Sequence, residues 1–135
     1  MPFAELHPVA LVCTALLGLL LFGLGLAVSG ARGRSRRLIG VDDDPDSLLN
    51  RLVRAHGNTA EYAPFLGLLF LLLGSRSPSG LVLGLIVAAT AARLLLALGL
   101  LTARTLSRPS ALRFVGAAGT YVTGAWLSLL LLTGA

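Results

Sequence analysis

Four long apolar runs limit what this chain can fold into. They lie at roughly Leu6–Ser29, Leu48–Gly74, Gly80–Leu101 and Leu112–Thr133. Each holds the about 20 residues that an α-helix, rising about 1.5 Å per residue, needs to cross a hydrocarbon core. With 135 residues, 56% of them hydrophobic, a water-soluble globule has too little interior to hide so much apolar surface. Lipid accepts it. The sequence therefore predicts an all-α membrane protein, one domain over residues 1–135 built as a four-transmembrane-helix antiparallel bundle. Pro45, Pro78 and Pro109 fall between the runs, where proline ends or starts a helix without breaking one. The first run reads as a retained helix and not a secretory leader. Its opening, Met1–His7, carries Glu5 and no arginine or lysine, and the apolar stretch is too long.

The cations are distributed as in a membrane protein. There is no lysine, and the net charge is +5. The first connection holds Arg32, Arg34, Arg36 and Arg37; the third holds Arg104 and Arg108, with Arg113 just inside the last run. The second holds Arg76 alone. An even number of spans puts the first and third connections on one side. By the positive-inside rule that side is cytoplasmic, so both termini are expected on the non-cytoplasmic side of a cell inner membrane. Arginines gathered at helix ends, with few aromatics among them, do not form a nucleic-acid surface. The single cysteine, Cys13, excludes an intrachain disulfide and a Cys-rich zinc site.

The second run contains residues that a membrane helix should not have. At about 100° per residue, Arg51, Arg54, Asn58 and Glu61 fall within an arc of roughly 80°. His56 points to the other side and is expected to bond a neighbouring helix. Arg93 lies deep in the third run, where a guanidinium costs on the order of 3 kcal/mol to insert. An antiparallel bundle brings Arg51, Arg54, Asn58, Glu61, Arg93 and Arg113 to similar depth. Two readings follow. In one, Glu61 neutralises Arg93, Asn58 ties helices together and the outer arginines reach the head groups. In the other, one carboxylate is too few for several arginines, and the excess binds an anionic guest with more than one carboxylate through two-pronged contacts.

The segment Arg54-Ala55-His56-Gly57-Asn58-Thr59-Ala60-Glu61-Tyr62-Ala63-Pro64 resembles the helix-2 signature of the MAPEG family, the membrane-associated proteins of eicosanoid and glutathione metabolism. Chain length, four spans, an arginine in the third run and another opening the fourth resemble it too, in the manner of a bacterial-type member. The resemblance implies a homotrimer with glutathione, as co-substrate, bound between neighbouring subunits near the cytoplasmic side. Arg54, Asn58 and Glu61 would hold the glutathione backbone, with Arg93 helping and Arg51 in the same group. Arg113 would be the catalytic residue that stabilises the thiolate. A thiol of pKa near 8.5 is only a few per cent ionised at pH 7, and an arginine in a low-dielectric site can lower that pKa by about a unit or two. The thiolate would attack a lipophilic electrophile in the bilayer, as a membrane-bound transferase or peroxidase.

Some positions depart from the family's pattern. Gly57 stands where eicosanoid-metabolising members often carry an arginine, and Leu100 and Ala117 stand where tyrosines accompany the arginines of helices 3 and 4. These departures argue against an eicosanoid substrate and leave turnover open. Tyr121, one turn beyond Ala117, is a candidate substitute. Two other functions stay on the table: a small proton-coupled transporter using Glu61, and a non-catalytic assembly protein whose charges hold an oligomer together. The run Asp42-Asp43-Asp44-Pro45-Asp46 matches an acidic metal-binding pattern only formally. Pro45 and the lack of a second acidic set make it an acidic loop balancing the preceding arginines, with Asp46 or Ser47 capping the next helix. Gly18, Gly23, Gly25, Gly116 and Gly119 are expected to permit close helix approach, and Cys13 to be inert filler.

Overall fold

A computed structural model describes residues 6–134. The opening Met1–Glu5 and the final Ala135 lie outside the described residues, and with them most of the segment on which the retained-helix reading rests. The described residues form four α-helices and no strand: α1 (Pro8–Ser35), α2 (Leu48–Gly74), α3 (Gly80–Thr102) and α4 (Ala111–Thr133). Three of them, α1, α3 and α4, are long and apolar enough to cross a membrane. α2 has 27 residues and carries the polar stripe along its first half.

Local chemistry sets the helix ends. His7 caps α1, its Nδ1 accepting from the Val9 N–H at 3.2 Å, and Pro8 follows in the first turn, where its missing N–H costs nothing. Ser47 caps α2, accepting from the Asn50 N–H, and Ser79 caps α3, accepting from the Val82 N–H. α1 runs on past Ser29 to Ser35, so Arg32 and Arg34 belong to its last turns and not to the connection. Arginine supports a helix well, and at a C-terminus its charge meets the negative end of the helix dipole.

The helices alternate in direction. Near the start of α1, Ala10 faces Gly74 at the end of α2, and further along α1 Gly25 faces His56 of α2. The His7 N–H donates to the Gly74 carbonyl at 3.1 Å. At the opposite end, Asp46 accepts from the Leu106 N–H at 2.9 Å, which ties the α1–α2 and α3–α4 connections together. This is the arginine-rich end of an antiparallel four-helix membrane bundle. α3 packs most closely on α4 and α1 on α2, whereas among the described residues no Cα of α1 comes within 8 Å of one in α4.

Glycine decides where backbones approach. A Cβ on Gly116 of α4 would come within 2.6 Å of the Leu96 nitrogen and 2.8 Å of the Ala92 carbonyl; one on Gly119 would lie 2.9 Å from the Ala92 Cβ. These two glycines let α4 lie on α3 beside Arg93. Gly25 does the same for the His56 ring, 3.2 Å from where its Cβ would be, while Gly18 and Gly23 face open space and serve no close contact. Buried hydroxyls on Thr90, Thr120 and Thr123 donate to carbonyls one turn back in their own helices, so none is left unsatisfied. Cys13 is buried in the apolar core.

That core comes in two parts. One gathers Leu17, Leu66, Phe70, Ile86 and Leu127; the other, toward the arginine-rich end, gathers Leu24, Leu52, Leu96 and Leu100. Along α2 and α3 the break between them falls at Asn58, Thr59 and Arg93. A polar layer cuts the apolar interior at that depth.

Candidate functional site

Arg93 is the centre of this layer. Its side chain is only 1% exposed, and Nη2 donates to Asn58 Oδ1 at 2.7 Å and to Thr59 Oγ1 at 3.5 Å. Its guanidinium carbon lies 5.4 Å from the centre of the Tyr62 ring, within range of a cation–π attraction. Nε and Nη1 are buried without a hydrogen-bond partner among the described residues. The expected Glu61–Arg93 ion pair does not form: among the described residues only Arg37 makes salt bridges, to Asp42 and Asp43. Glu61 is exposed.

The Arg93–Asn58 bond has a chemical consequence. A guanidinium only donates, so the amide oxygen of Asn58 must face Arg93. The Asn58 NH2 group is therefore turned the other way, as a donor. Asn58 also borders a cavity of about 310 Å³ between α2, α3 and α4, whose other polar lining is Arg54, Ser110, Arg113 and Tyr121 and whose apolar walls include Leu96, Leu100 and Phe114. Its volume lies at the lower end of the range for small-molecule sites, about 300–1,000 Å³. Among the described residues no carboxylate lines it.

Arg113 enters from the start of α4. Its Nη1 donates to the carbonyls of Leu106 at 3.1 Å and Arg108 at 2.9 Å, which ties the α3–α4 connection to the start of α4. Gly99 makes room for it, since a Cβ there would lie 3.0 Å from the Arg113 Cγ. Arg113, Ala117 and Tyr121 follow at intervals of four, so all three line one face of α4 and of the cavity. Ser110, Phe114 and Pro109 also line the cavity and were missed in the sequence; only their helical proximity to Arg113 could have suggested them.

The α2 stripe does not act as one unit. Arg54 and Asn58 line the cavity. Arg51 does not: its Nη1 donates to the carbonyls of Leu101 at 3.0 Å and Ala103 at 3.1 Å, capping the C-terminus of α3. Glu61 lines a neighbouring groove between α2 and α4, with Tyr62, Phe65, Tyr121, Gly124 and Ser128. Tyr121 belongs to both spaces and packs against Tyr62, ring centres 5.6 Å apart and planes tilted by 57°. His56 rests against α1 at Gly25, away from the cavity.

The acidic run keeps to the loop. Asp43 accepts from Arg37 at 2.7 Å, and this hydrogen bond, with the carboxylate's charge, holds the Arg37 guanidinium above its usual pKa. Among the described residues no cluster of His, Cys, Asp and Glu could hold a metal ion.

Neither the curated proteins nor the solved structures give a match. A family's sequence model does, over residues 10–133, which takes in all four helices but for the first two residues of α1, and every residue of the cavity. The chain belongs to the MAPEG family.

Proposed function

We propose that this membrane protein binds glutathione or a related thiol in the cavity between α2, α3 and α4, and presents its sulfur to a lipophilic electrophile. The observation that carries the proposal is the lining. Two arginines, Arg54 and Arg113, and the amide of Asn58 line one space that has no carboxylate among the described residues. Cations at membrane depth without a counter-ion call for an anionic guest, and a small peptide with two carboxylates suits two-pronged arginine contacts. Membership in the MAPEG family adds the thiol.

In this reading Arg54 and Asn58 hold carboxylate and amide groups of the peptide. Arg93 orients Asn58 from behind, and Arg113 lies where it stabilises the thiolate. Arg51 holds the end of α3 in place. Apolar walls from Leu96, Leu100 and Phe114 keep water out, which strengthens each of these electrostatic contacts. The ionised sulfur then attacks an electrophile arriving from the acyl chains, as a transferase or peroxidase.

The proposal extends to assembly and orientation. Glu61 is exposed on a single chain, and a carboxylate at that depth needs a partner; the neighbouring subunit of a homotrimer supplies one and completes the glutathione site. With its arginines, the end carrying the α1–α2 and α3–α4 connections faces the cytoplasm of a cell inner membrane.

The test is glutathione binding to the purified protein in lipid nanodiscs, followed by calorimetry. Binding should be saturable, and Arg54→Ala should weaken it by about tenfold to a hundredfold, since a hydrogen bond to a charged group contributes about 1.5–3 kcal/mol. Its thermal stability should stay unchanged, because Arg54 is exposed and bonds no other residue among those described. Absence of saturable binding in every lipid composition would remove the proposal. Substrate-driven proton uptake into vesicles, lost in Glu61→Gln, would support transport in its place.

A further inference from the structure

The connection between α1 and α2 carries a feature that the cavity does not use. Leu38 and Ile39 are 89% and 85% exposed, the two most exposed large apolar side chains among the described residues, and Val41 follows at 52%. The other exposed apolar residues lie mostly on the spanning helices, where acyl chains cover them. This pair lies beyond the end of α1.

Its depth follows from the length of α1. Its 28 residues extend about 42 Å at 1.5 Å per residue, the thickness of a bilayer with its head-group layers, about 40–45 Å. The last turns, with Arg32 and Arg34, therefore stand among head groups. At Arg36 the backbone turns left-handed, φ 54°, and the chain folds back. The Arg37 N–H donates to the Arg32 carbonyl at 3.1 Å, and Arg32 Nη2 donates to the Gly40 carbonyl at 3.3 Å. Leu38 and Ile39 are thereby held beside the last turn of α1, at head-group level.

The loop is tied, not loose. Arg37 Nη1 donates to the Val41 carbonyl at 2.9 Å. Asn50 Nδ2 donates to the carbonyls of Asp42 at 3.0 Å and Asp44 at 2.7 Å, and its Oδ1 accepts from the Asp42 N–H at 2.8 Å. The acidic residues neutralise only Arg37. Arg32, Arg34 and Arg36 have no carboxylate partner among the described residues. An outward apolar pair flanked by three uncompensated guanidinium groups, at the depth of phosphate groups, has the chemistry of an anionic membrane surface.

We propose that Leu38 and Ile39 form a wedge inserted into the head-group layer at the arginine-rich end, with Arg32, Arg34 and Arg36 bound to the phosphates of anionic phospholipids. The wedge fixes the height of α1 in the bilayer. It is independent of what the cavity binds.

The full chain in vesicles tests this, with Ile39→Trp as reporter in a Trp126→Phe background. Lipids brominated near the glycerol end of the acyl chain should quench the reporter, and more strongly in phosphatidylglycerol than in phosphatidylcholine. Arg34→Gln with Arg36→Gln should reduce that preference by about fivefold for each arginine removed. Both arginines are exposed and neither holds the loop, so the double variant keeps the fold. As a second measurement, Leu38→Cys in a Cys13→Ser background should be shielded from a water-soluble thiol reagent in anionic vesicles and reactive in detergent. A reporter with water-like emission and no quenching overturns the wedge. So does a blue-shifted reporter that brominated lipids do not reach, since another copy of the chain would then cover it. Equal quenching in both lipids, untouched by the arginine changes, overturns the phosphate assignment.

Discussion

α4 meets its two neighbours in different ways. Against α3 it lies almost backbone to backbone, because Gly116 and Gly119 present no side chain to Ala92 and Leu96. Against α2 it stands off. There the contacts include Tyr121 on Tyr62, and the remaining space is the cavity at Arg54 and the groove at Glu61. In lipid no hydrophobic force draws helices together, so the size of the facing residues decides how near they come. Where glycines face a backbone the helices close; where arginine, asparagine and tyrosine face each other, a space of ligand size persists. The site is the loose side of a helix whose other side is fixed.

The comparison can be broken most severely at Gly116. Gly116→Val would drive a Cβ into the Leu96 nitrogen and the Ala92 carbonyl, backbone atoms that cannot move aside. A loss of about 3 kcal/mol or more is expected, because overpacking against backbone finds no rotamer to relieve it. Thermal unfolding in detergent would read it, and a wild-type midpoint would show that α4 is not pressed on α3.

Next in size is Arg93→Met. Met fills much of the same space without a charge, so stability should hold or rise, as when an uncompensated buried charge is replaced. Glutathione binding should fall about tenfold, because Asn58, which lines the cavity, loses the bond that orients its amide. Lower stability with unaltered binding would make Arg93 a strut and not an orienting group.

Arg51→Ala should show the reverse pattern: about 1 kcal/mol of stability lost with the α3 cap, and binding unaltered. Weaker binding with a wild-type unfolding midpoint would return Arg51 to the ligand. The smallest effect is expected from Gly18→Ala. Nothing lies within 4 Å of its Cβ position, so the variant should be more stable by up to about 1 kcal/mol, the helix preference of alanine over glycine. A destabilised Gly18→Ala would point to a helix contact outside the single chain.

Much of the fold could be read along the chain because its causes are linear. Length and hydropathy set the four spans, and the arginine count singles out one end of the bundle. The extension of α1 past Ser29 was less legible, since Gly30–Ser35 is polar enough to pass for a loop yet stays helical. Tyr121 shows the middle case. Its offset from Arg113 was visible, but its place in the cavity depended on which face α4 turns to α2.

The sequence by itself determined that guanidinium groups, an amide and a carboxylate would gather in the arginine-rich half of the bundle, because helical period and span length fix height along the bilayer normal. Only the tertiary structure decided which of them share a space. Arg51 and Arg54 are one turn apart on α2, yet one reaches the exposed carbonyls ending α3 and the other the cavity. Glu61 and Arg93 were matched in charge but form no ion pair; Arg93 instead bonds Asn58 and lies over the Tyr62 ring. A long side chain takes whichever partner a neighbouring helix offers within its reach, and that depends on the rotation and spacing of the helices, which no single helix encodes.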